Sequence, residues 1–218
     1  MSEAAEGAAR LLDDEQRRRA ARLKPRQRHR RIFAHAGLRT LLADYLDAAP
    51  EELTFRRAPC PSCGGPHGRP YLVGASDLGF SMSHSGDGVL YAVSARAALG
   101  ADVEATTVAN HTLDAVSRWL SAEERQDIAA AAPADHSALF LRYWVRREAY
   151  VKAVGTGLAH GLGPAPWALP DGWRHLDIDV PEGYVASVAW HGDTPPVHNG
   201  RMPPSRILGS HHKEEQDA

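Results

Sequence analysis

The stretch Gly100-Ala-Asp-Val-Glu104 combines two acidic residues with alternating apolar ones. Successive side chains of a β-strand point to opposite faces, so this pattern predicts a strand with Asp102 and Glu104 on one face and Val103 on the other. Two hard oxygen ligands on one strand, joined by Glu148 from elsewhere, are typical of a Mg²⁺ site with room for water and phosphate oxygens. A solvated strand edge is the alternative interpretation of Asp102 and Glu104 taken alone.

Two further segments carry polar chemistry, Phe80-Ser-Met-Ser-His-Ser85 and Trp144-Val-Arg-Arg-Glu-Ala-Tyr-Val-Lys152. In the second segment, Trp144, Glu148 and Lys152 recur at every fourth residue, which places them on one face of a helix. An i, i+4 ion pair between Glu148 and Lys152, worth roughly a few tenths of a kcal/mol, is the structural alternative to a catalytic role. With the acidic strand, these segments supply a histidine, three carboxylates and a lysine, which can hold a divalent metal and a polyphosphate.

The three segments together resemble the 4′-phosphopantetheinyl transferases of the surfactin-synthetase-activating type. The hallmarks of that family are a Ser-His-Ser segment, a G-x-D-x-E strand and a W-x-x-K-E-x-x-x-K helix. This chain has Ser83-His84-Ser85, Gly100 to Glu104 and Trp144 to Lys152, with Arg147 where lysine is usual. The resemblance covers roughly residues 10–190. It implies an enzyme that transfers the 4′-phosphopantetheine group of coenzyme A to a serine of an apo carrier protein and releases adenosine 3′,5′-bisphosphate.

The resemblance also implies an α+β fold of two similar lobes that form a pseudo-dimer, each lobe a small antiparallel sheet packed by helices. Residues 1–100 would form the N-terminal lobe, with contacts to the 3′-phosphate and pyrophosphate of coenzyme A. Residues 101–190 would form the C-terminal lobe, with the metal and catalytic residues. Residues 191–218 contain four prolines and a polar end, which predicts a mostly disordered tail.

The resemblance implies roles for four residues of the site. Asp102, Glu104 and Glu148 would bind Mg²⁺, which neutralises the pyrophosphate and stabilises the leaving group. Glu148, or a water that it holds, is the candidate base for the serine hydroxyl. Lys152 would stabilise charge on the attacked phosphorus.

A further acidic position of the family corresponds to Glu124, with the neighbouring Glu123 as the alternative alignment. Both residues belong to Ser121-Ala-Glu-Glu124. This segment also predicts a capping box at the start of a helix, because Ser121 can cap and Glu124 can reach back.

Coenzyme A is a polyanion, and one part of the chain is strongly basic. From Gln16 to Arg39 there are ten lysines and arginines and no acidic residue, which suits a polyanionic ligand; a solvated arginine-rich helix is the alternative. Arg69 stands in Gly-Arg-Pro where the family commonly has Gly-Lys-Pro. His84 follows an apolar stretch, where a structural hydrogen bond is the alternative role. The expected coenzyme A contacts are Arg18, Arg22, Arg30, Arg69, Ser83 and His84.

Cys60 and Cys63 form a Cys-Pro-Ser-Cys motif that is followed by Gly-Gly-Pro-His67. Structural zinc sites need four ligands, and the chain has no second cysteine pair, so we expect a surface loop with reduced thiols. A three-ligand metal site that includes His67 is the alternative.

The hydrophobic pattern predicts helices and strands in α+β order. The strand at residues 89–94 and the strand that ends at Glu104 are expected to pair as a hairpin. The predicted helices are 11–23, 32–48, 113–120, one that begins at Ser121, and 138–154. The other predicted strands are a short one into which residues 50–55 lead, 173–180 and 184–190.

Composition limits the class of protein. The 218 residues are 43% hydrophobic and 24% charged, with a formal net charge of −2, which is ordinary for a soluble globular protein. There is no signal-peptide core and no apolar run of the ~20 residues that cross a bilayer, so we expect a cytoplasmic protein without a membrane partner. We also expect a monomer. The expected partners are acyl or peptidyl carrier proteins of nonribosomal peptide, polyketide or fatty-acid synthesis.

Two other functions compete with this interpretation. A metal-dependent phosphohydrolase could use the same carboxylates without a protein acceptor. A nucleic-acid-binding module could use the basic helices, but the carboxylates would repel a phosphate backbone without metal and the basic stretch has few aromatics. We therefore expect no nucleic-acid partner.

Overall fold

The computed structural model describes residues 3–95, 98–107, 120–157, 169–193 and 200–208. The chain divides into two compact units, of which the first is Met1–Leu53 with His198–Ala218 and the second is Thr54–Val197. Helices and small antiparallel sheets make this an α+β protein. The lobe boundary expected between residues 100 and 101 falls inside the second unit. None of the helices built from described residues is long and apolar enough to cross a bilayer.

The described elements follow one another along the chain as six helices and seven strands. The helices are α1 (Glu3–Arg10), α2 (Asp14–Ala21), α3 (Pro25–Leu46), α4 (Ala122–Ala130), α5 (His136–Val154) and α6 (Pro204–Leu208). The strands are β1 (Phe55–Arg57), β2 (Pro70–Leu72), β3 (Leu78–Ser85), β4 (Gly88–Ala95), β5 (Leu99–Ala105), β6 (Trp173–Asp177) and β7 (Tyr184–His191).

The first unit contains the basic segment. Asp13 and Gln16 form a capping box that begins α2, and α3 begins at Pro25, whose fixed φ suits the first helical position. The prediction began this helix at residue 32 because the preceding residues carry little apolar periodicity. Arg39, one of the ten cations, is fully buried and donates to Asp13 and to the carbonyl oxygen of Pro50 at 2.8 and 2.7 Å.

Helix α6 corrects the prediction of a disordered tail for residues 204–208. Ile207 packs against the buried cluster that includes Leu12 and Ile32. Arg206 also forms an ion pair with Asp44 at 2.6 Å. The prediction missed this helix because its five residues are too few to show an apolar period.

The second unit contains all seven of the described strands. β1 pairs with β2, β3 pairs with β4, and the third sheet has the order β5-β7-β6, all antiparallel. The predicted hairpin between β4 and β5 is therefore wrong: β4 pairs with β3, and β5 pairs with β7. The β3–β4 turn at Gly86-Asp87 explains the difference, since Gly86 has a φ of 57° and supplies the left-handed conformation that a two-residue hairpin needs.

Helix α5 packs directly on β5. A Cβ atom at Gly100 would lie 2.0 Å from the carbonyl oxygen of Ala149 and 2.4 Å from the amide nitrogen of Ala153. Only glycine therefore permits this close approach of strand and helix. This packing sets the acidic strand and the helix of Glu148 and Lys152 side by side.

Most other predicted elements of the second unit are present. The capping box of Ser121 and Glu124 begins α4, and α5 ends at Gly155 in the left-handed conformation. The two predicted strands after residue 172 correspond to β6 and β7, joined by a turn in which Gly183 has a φ of 87°. The predicted helix at 113–120 lies outside the described residues except at its end.

Candidate active site

Alternate serines of β3 face β5. Ser81 Oγ accepts a hydrogen bond from the N–H of Ala101 at 2.9 Å, and Ser85 Oγ accepts one from the N–H of Ala105 at 3.1 Å. These hydroxyls satisfy backbone groups of β5 that would otherwise be buried without partners. Ser81, Ser83 and Ser85 share one face because side chains alternate along a strand.

Asp102 lies at the centre of this arrangement. Its Oδ1 accepts hydrogen bonds from Ser83 Oγ at 2.7 Å and Lys152 Nζ at 2.5 Å, and Lys152 also donates to Ser83 at 2.9 Å. Asp102 is only 2% exposed, which rules out a solvated strand edge. Burial raises the pKa of Asp102 despite the opposing effects of Lys152 and Ser83.

Glu104 lies on the same face of β5, two residues farther along. Its Oε2 accepts a hydrogen bond from Ser85 Oγ at 2.6 Å. Burial raises the pKa of Glu104, the hydrogen bond from Ser85 opposes that rise, and the negative charge of Asp102 adds to it. The sequence prediction that Asp102 and Glu104 share a strand face is confirmed.

Glu148 reaches the same cluster from α5. Burial raises its pKa to about 7, and the charges of Asp102 and Glu104 contribute to the rise while Lys152 opposes it. The three carboxylates therefore repel one another inside a half-buried site. Such repulsion is relieved by a bound cation or by a proton.

Lys152 pairs across the site rather than along its own helix. Its ion pair within the described structure is with Asp102 on β5, and not with Glu148 one turn earlier on α5. The ammonium group is thus held against the strand, with its side chain 32% exposed. The i, i+4 salt bridge that the sequence offered as an alternative is not the contact that this lysine makes.

Glu124 and Glu123 have different surroundings. Glu124 is buried, accepts a hydrogen bond from the N–H of Ser121 at 2.7 Å and forms an ion pair with Arg147 of α5. Glu123 is exposed on α4. Arg147 is fully buried, so its pairing with Glu124 joins the start of α4 to the middle of α5.

The expected coenzyme A contacts lie in both units. In the second unit, His84 is exposed on β3, and Arg69 is half-buried with its backbone close to Gly155 at the end of α5. Ser83 is buried and bonded to Asp102. In the first unit, Arg18 and Arg22 are exposed and Arg30 is half-buried. The structure thus brings Ser83 to the carboxylates, while the roles of all six residues toward the ligand stay predictions.

A separate surface cavity of about 420 Å³ lies between α5 and the strands β6 and β7. Arg142, Asp177 and Tyr184 are among the residues that line it. None of its lining residues belongs to the predicted site. The carboxylate cluster therefore remains the candidate site for chemistry.

Comparisons with known proteins agree with the motifs. Residues 98–200 match the family model of the 4′-phosphopantetheinyl transferase superfamily. A 4′-phosphopantetheinyl transferase of Bacillus subtilis is 29% identical over 171 residues, which are 76% of this chain and 73% of that protein. The transferase Sfp of Bacillus subtilis strain 168 is 27% identical over 204 residues, 85% of this chain and 90% of that protein. Residues 98–200 of the chain belong to the 4′-phosphopantetheinyl transferase superfamily.

The match with a further relative covers a smaller share of that relative's length. It is a protein of Synechocystis sp., provisionally named a 4′-phosphopantetheinyl transferase, that is 30% identical over 155 residues. The match takes in 70% of this chain and 60% of that protein. The family-model match includes β5, α5 and β7, and so contains the three carboxylates and Lys152.

The acidic cluster fits the Mg²⁺ ion that the superfamily implies. Asp102 Oδ2 is buried and has no hydrogen-bond partner within the described structure, so this oxygen is available to bind a cation. In the described structure, the one group of three metal-binding side chains whose ligand atoms all lie within 4.8 Å of one another is Cys60, Cys63 and His67. The carboxylate oxygens of Asp102, Glu104 and Glu148 are farther apart than that. Oxygens bound to one Mg²⁺ at about 2.0–2.1 Å lie no more than roughly 4.2 Å apart, so the three carboxylates would draw closer together around the ion, whose remaining positions water and phosphate can fill.

Proposed function

We propose that this protein transfers the 4′-phosphopantetheine group of coenzyme A to a serine hydroxyl of an apo carrier protein, with adenosine 3′,5′-bisphosphate as the second product. One observation supports this most strongly: the carboxylates of Asp102, Glu104 and Glu148 and the ammonium of Lys152 converge between β5 and α5. The superfamily match covers the same elements. Such a site has the charges that a phosphoryl transfer needs.

Asp102, Glu104 and Glu148 would hold Mg²⁺. When bound, the ion would neutralise the pyrophosphate oxygens and stabilise the leaving phosphate. Asp102 offers its unbonded Oδ2 for this role, while Oδ1 keeps Ser83 and Lys152 in place. The hydrogen bond from Ser85 likewise fixes the orientation of Glu104. Hydrogen bonds from neighbouring side chains commonly orient the carboxylates that bind a metal ion.

Glu148 would accept the proton of the attacking serine, directly or through a water. Burial and the neighbouring carboxylates raise the pKa of Glu148 to about 7, which suits a base near neutral pH, whereas Mg²⁺ bound to the same carboxylate would lower this pKa. Lys152 would stabilise the negative charge on the transferred phosphoryl group, since its ammonium is fixed by Asp102 and Ser83 and yet is partly exposed. Preorganised charge of this kind lowers the barrier without reorganisation during the reaction.

Coenzyme A would be bound by charge and by the exposed end of β3. His84 is exposed beside the buried Ser83, so it can contact phosphate while Ser83 supports Asp102. Arg69 would contact the pyrophosphate in a bidentate manner, as guanidinium groups do. Arg18, Arg22 and Arg30 of the basic segment would bind the ribose 3′-phosphate.

The pseudo-dimer of two lobes also remains a proposal, and the site geometry supports it. A boundary between residues 100 and 101 falls within β5, and would assign β3, β4 and the first two residues of β5 to one lobe and the rest of β5 with β6 and β7 to the other. The hydrogen bonds from Ser83 to Asp102 and from Ser85 to Glu104 would then join the two lobes at the active site. Acyl and peptidyl carriers as partners, a monomeric state and a cytoplasmic location stay predictions.

Intact-protein mass spectrometry tests this function. Apo acyl and peptidyl carrier proteins are incubated with the protein, Mg²⁺ and coenzyme A, and each carrier is examined for a gain of one phosphopantetheine group. We expect the gain only with Mg²⁺ and only on carriers that keep their acceptor serine. Adenosine 3′,5′-bisphosphate is measured in parallel without any carrier. Its release at the same rate in that control would instead indicate the phosphohydrolase.

A further inference from the structure

The loop between β1 and β2 holds a second cluster of metal-binding side chains. The Sγ atoms of Cys60 and Cys63 and a ring nitrogen of His67 lie within 4.8 Å of one another. Cys63 Sγ and His67 Nε2 are 3.1 Å apart. In a tetrahedral zinc site, Zn–S distances of about 2.3 Å and Zn–N distances of about 2.0–2.1 Å place the ligand atoms roughly 3.5–3.8 Å apart. The three atoms thus need only small side-chain adjustments to share one ion.

The backbone of this loop brings its ligands together. The N–H of Cys60 donates to the carbonyl of Gly65 at 2.7 Å, and the N–H of Gly64 donates back to Cys60 at 2.8 Å. Gly64 has a φ of 71°, which closes the turn. A Cβ atom on Gly65 would lie 2.9 Å from the ring of His67 and 3.3 Å from Cys63 Sγ. Glycine at this position therefore lets both side chains fold over the turn.

The three ligand side chains differ in their exposure to solvent. Cys60 is buried, whereas Cys63 and His67 are exposed, so one side of the cluster is open to water.

We propose that Cys60, Cys63 and His67 bind one Zn²⁺ ion, with water as the fourth ligand. Two thiolates and an imidazole select zinc over the hard Mg²⁺ ion, which prefers oxygen ligands. The site is separate from the carboxylate cluster and uses none of its residues. With water in the fourth position, three protein ligands complete a four-coordinate zinc ion, so a second cysteine pair is not required.

The ion would tie together the side chains of the loop that carries Arg69. The thiol of Cys60 donates a hydrogen bond to the carbonyl oxygen of Thr156 at 3.6 Å, just beyond the end of α5, and a zinc-bound thiolate would give up this bond. A Cβ atom on Gly155 would lie 3.0 Å from the amide nitrogen of Arg69. Zinc would therefore hold the loop in one conformation through its own three ligands, beside the end of the helix that carries Glu148 and Lys152. This role for the loop rests on the proposed function, whereas zinc binding itself does not.

Metal analysis tests the proposal without any activity assay. Protein produced in zinc-supplemented medium is passed through a metal-chelating column, and its bound zinc is measured by mass spectrometry of the elements. We expect about one zinc per chain in the wild type and close to none in Cys63→Ser and His67→Asn, whose side chains are exposed. His136→Asn, a histidine on α5 with a hydrogen bond to Ala131, should keep its zinc.

Cobalt substitution identifies the ligands. Co²⁺ added to zinc-free wild-type protein should give thiolate charge-transfer bands and the intense visible bands of a four-coordinate ion, and Cys63→Ser should reduce the charge-transfer bands. Absence of zinc from the wild type, or unchanged zinc in both variants, would overturn the proposal. Thiol titration that finds a Cys60–Cys63 disulfide in freshly purified protein would overturn it as well, because a disulfide cannot supply two thiolates.

Discussion

Lys152 Nζ lies 2.5 Å from Asp102 Oδ1, so a helix residue and a strand residue form the central ion pair of the site. Asp102 is almost fully buried, while Lys152 is partly exposed. The pair therefore serves two purposes, since it compensates a buried carboxylate and fixes the position of a partly exposed ammonium. Both purposes can be separated by substitution.

Lys152→Met should lower both stability and rate. It leaves Asp102 buried without its counter-charge, which we expect to cost about 1–3 kcal/mol of unfolding free energy, less than the ~3–5 kcal/mol seen when a fully buried pair is broken. The value of kcat should fall by a large factor with a smaller change in KM for coenzyme A. Urea denaturation and steady-state kinetics measure the two effects. Lys152→Arg, which keeps the charge, is the control and should recover most of the stability; wild-type kinetics in Lys152→Met would contradict the catalytic role.

Gly100→Ala should disturb the site through packing alone. The added methyl group would collide with the backbone of α5 at Ala149 and Ala153, so the helix must move away from β5. We expect a loss of about 1–3 kcal/mol in stability and a marked loss of transferase activity. Gly7→Ala is the matched control, because a Cβ there meets no atom within 4 Å, and it should be neutral or slightly stabilising in α1. Normal activity in Gly100→Ala would show that the approach of α5 to β5 is not needed.

Asp177 should make stability depend on pH. Burial raises the pKa of Asp177, but hydrogen bonds from Arg146 and Arg142 outweigh burial and hold that pKa below its usual value. A lowered pKa in the folded state stabilises the protein above the unfolded value of about 3.9, and this contribution is lost as pH falls through the folded pKa. Asp177→Asn should therefore be less stable than wild type at neutral pH, and the difference should shrink in acid.

Urea denaturation of wild type and Asp177→Asn at neutral and acidic pH measures this effect. Asp193→Asn is the control, because the Asp193 side chain is 91% exposed and its pair with Arg174 should contribute little. A stability difference for Asp177→Asn that stays constant from neutral pH to below pH ~3 would contradict the assignment.

Ile207→Ala should destabilise the first unit. Ile207 is partly buried against the cluster of α1, α2 and α3, and a fully buried isoleucine would cost about 2–5 kcal/mol on truncation. We expect roughly 1–2 kcal/mol for this partly buried side chain, read from thermal or urea denaturation. Arg201→Ala, an exposed residue outside α6, is the control. Equal stability of the two variants would restore the prediction that this part of the chain is not packed.

The local features of the site could be predicted from sequence, because they depend on short-range periodicity. The period of a strand placed Asp102 and Glu104 on one face, and the Ser121–Glu124 spacing gave the capping box. The i, i+4 spacing of Glu148 and Lys152 correctly predicted that both lie on one helix. This spacing alone could not show that Lys152 forms its ion pair with Asp102.

Contacts between distant segments were the part that sequence patterns missed. The pairing of β5 with β7, and of β4 with β3, depends on tertiary packing. Ser83 and Ser85 belong to the Ser-His-Ser motif, yet their hydrogen bonds to Asp102 and Glu104 form only because β3 lies against β5. The alternation of Ser81, Ser83 and Ser85 was a signal that could have indicated a polar strand face. The buried pair of Arg147 and Glu124 left no comparable signal.

The central claim is that the carboxylates on β5 serve the transfer reaction, and the carrier-dependent release of adenosine 3′,5′-bisphosphate tests it most directly. The release rate is measured with saturating coenzyme A, Mg²⁺ and apo carrier for wild type, Asp102→Asn, Glu104→Gln and the control Asp177→Asn, each checked for folding by circular dichroism. We predict rapid release by wild type and Asp177→Asn, and a loss of at least about a hundredfold in Asp102→Asn and Glu104→Gln. Folded Asp102→Asn or Glu104→Gln protein that turns over at the wild-type rate would contradict the claim.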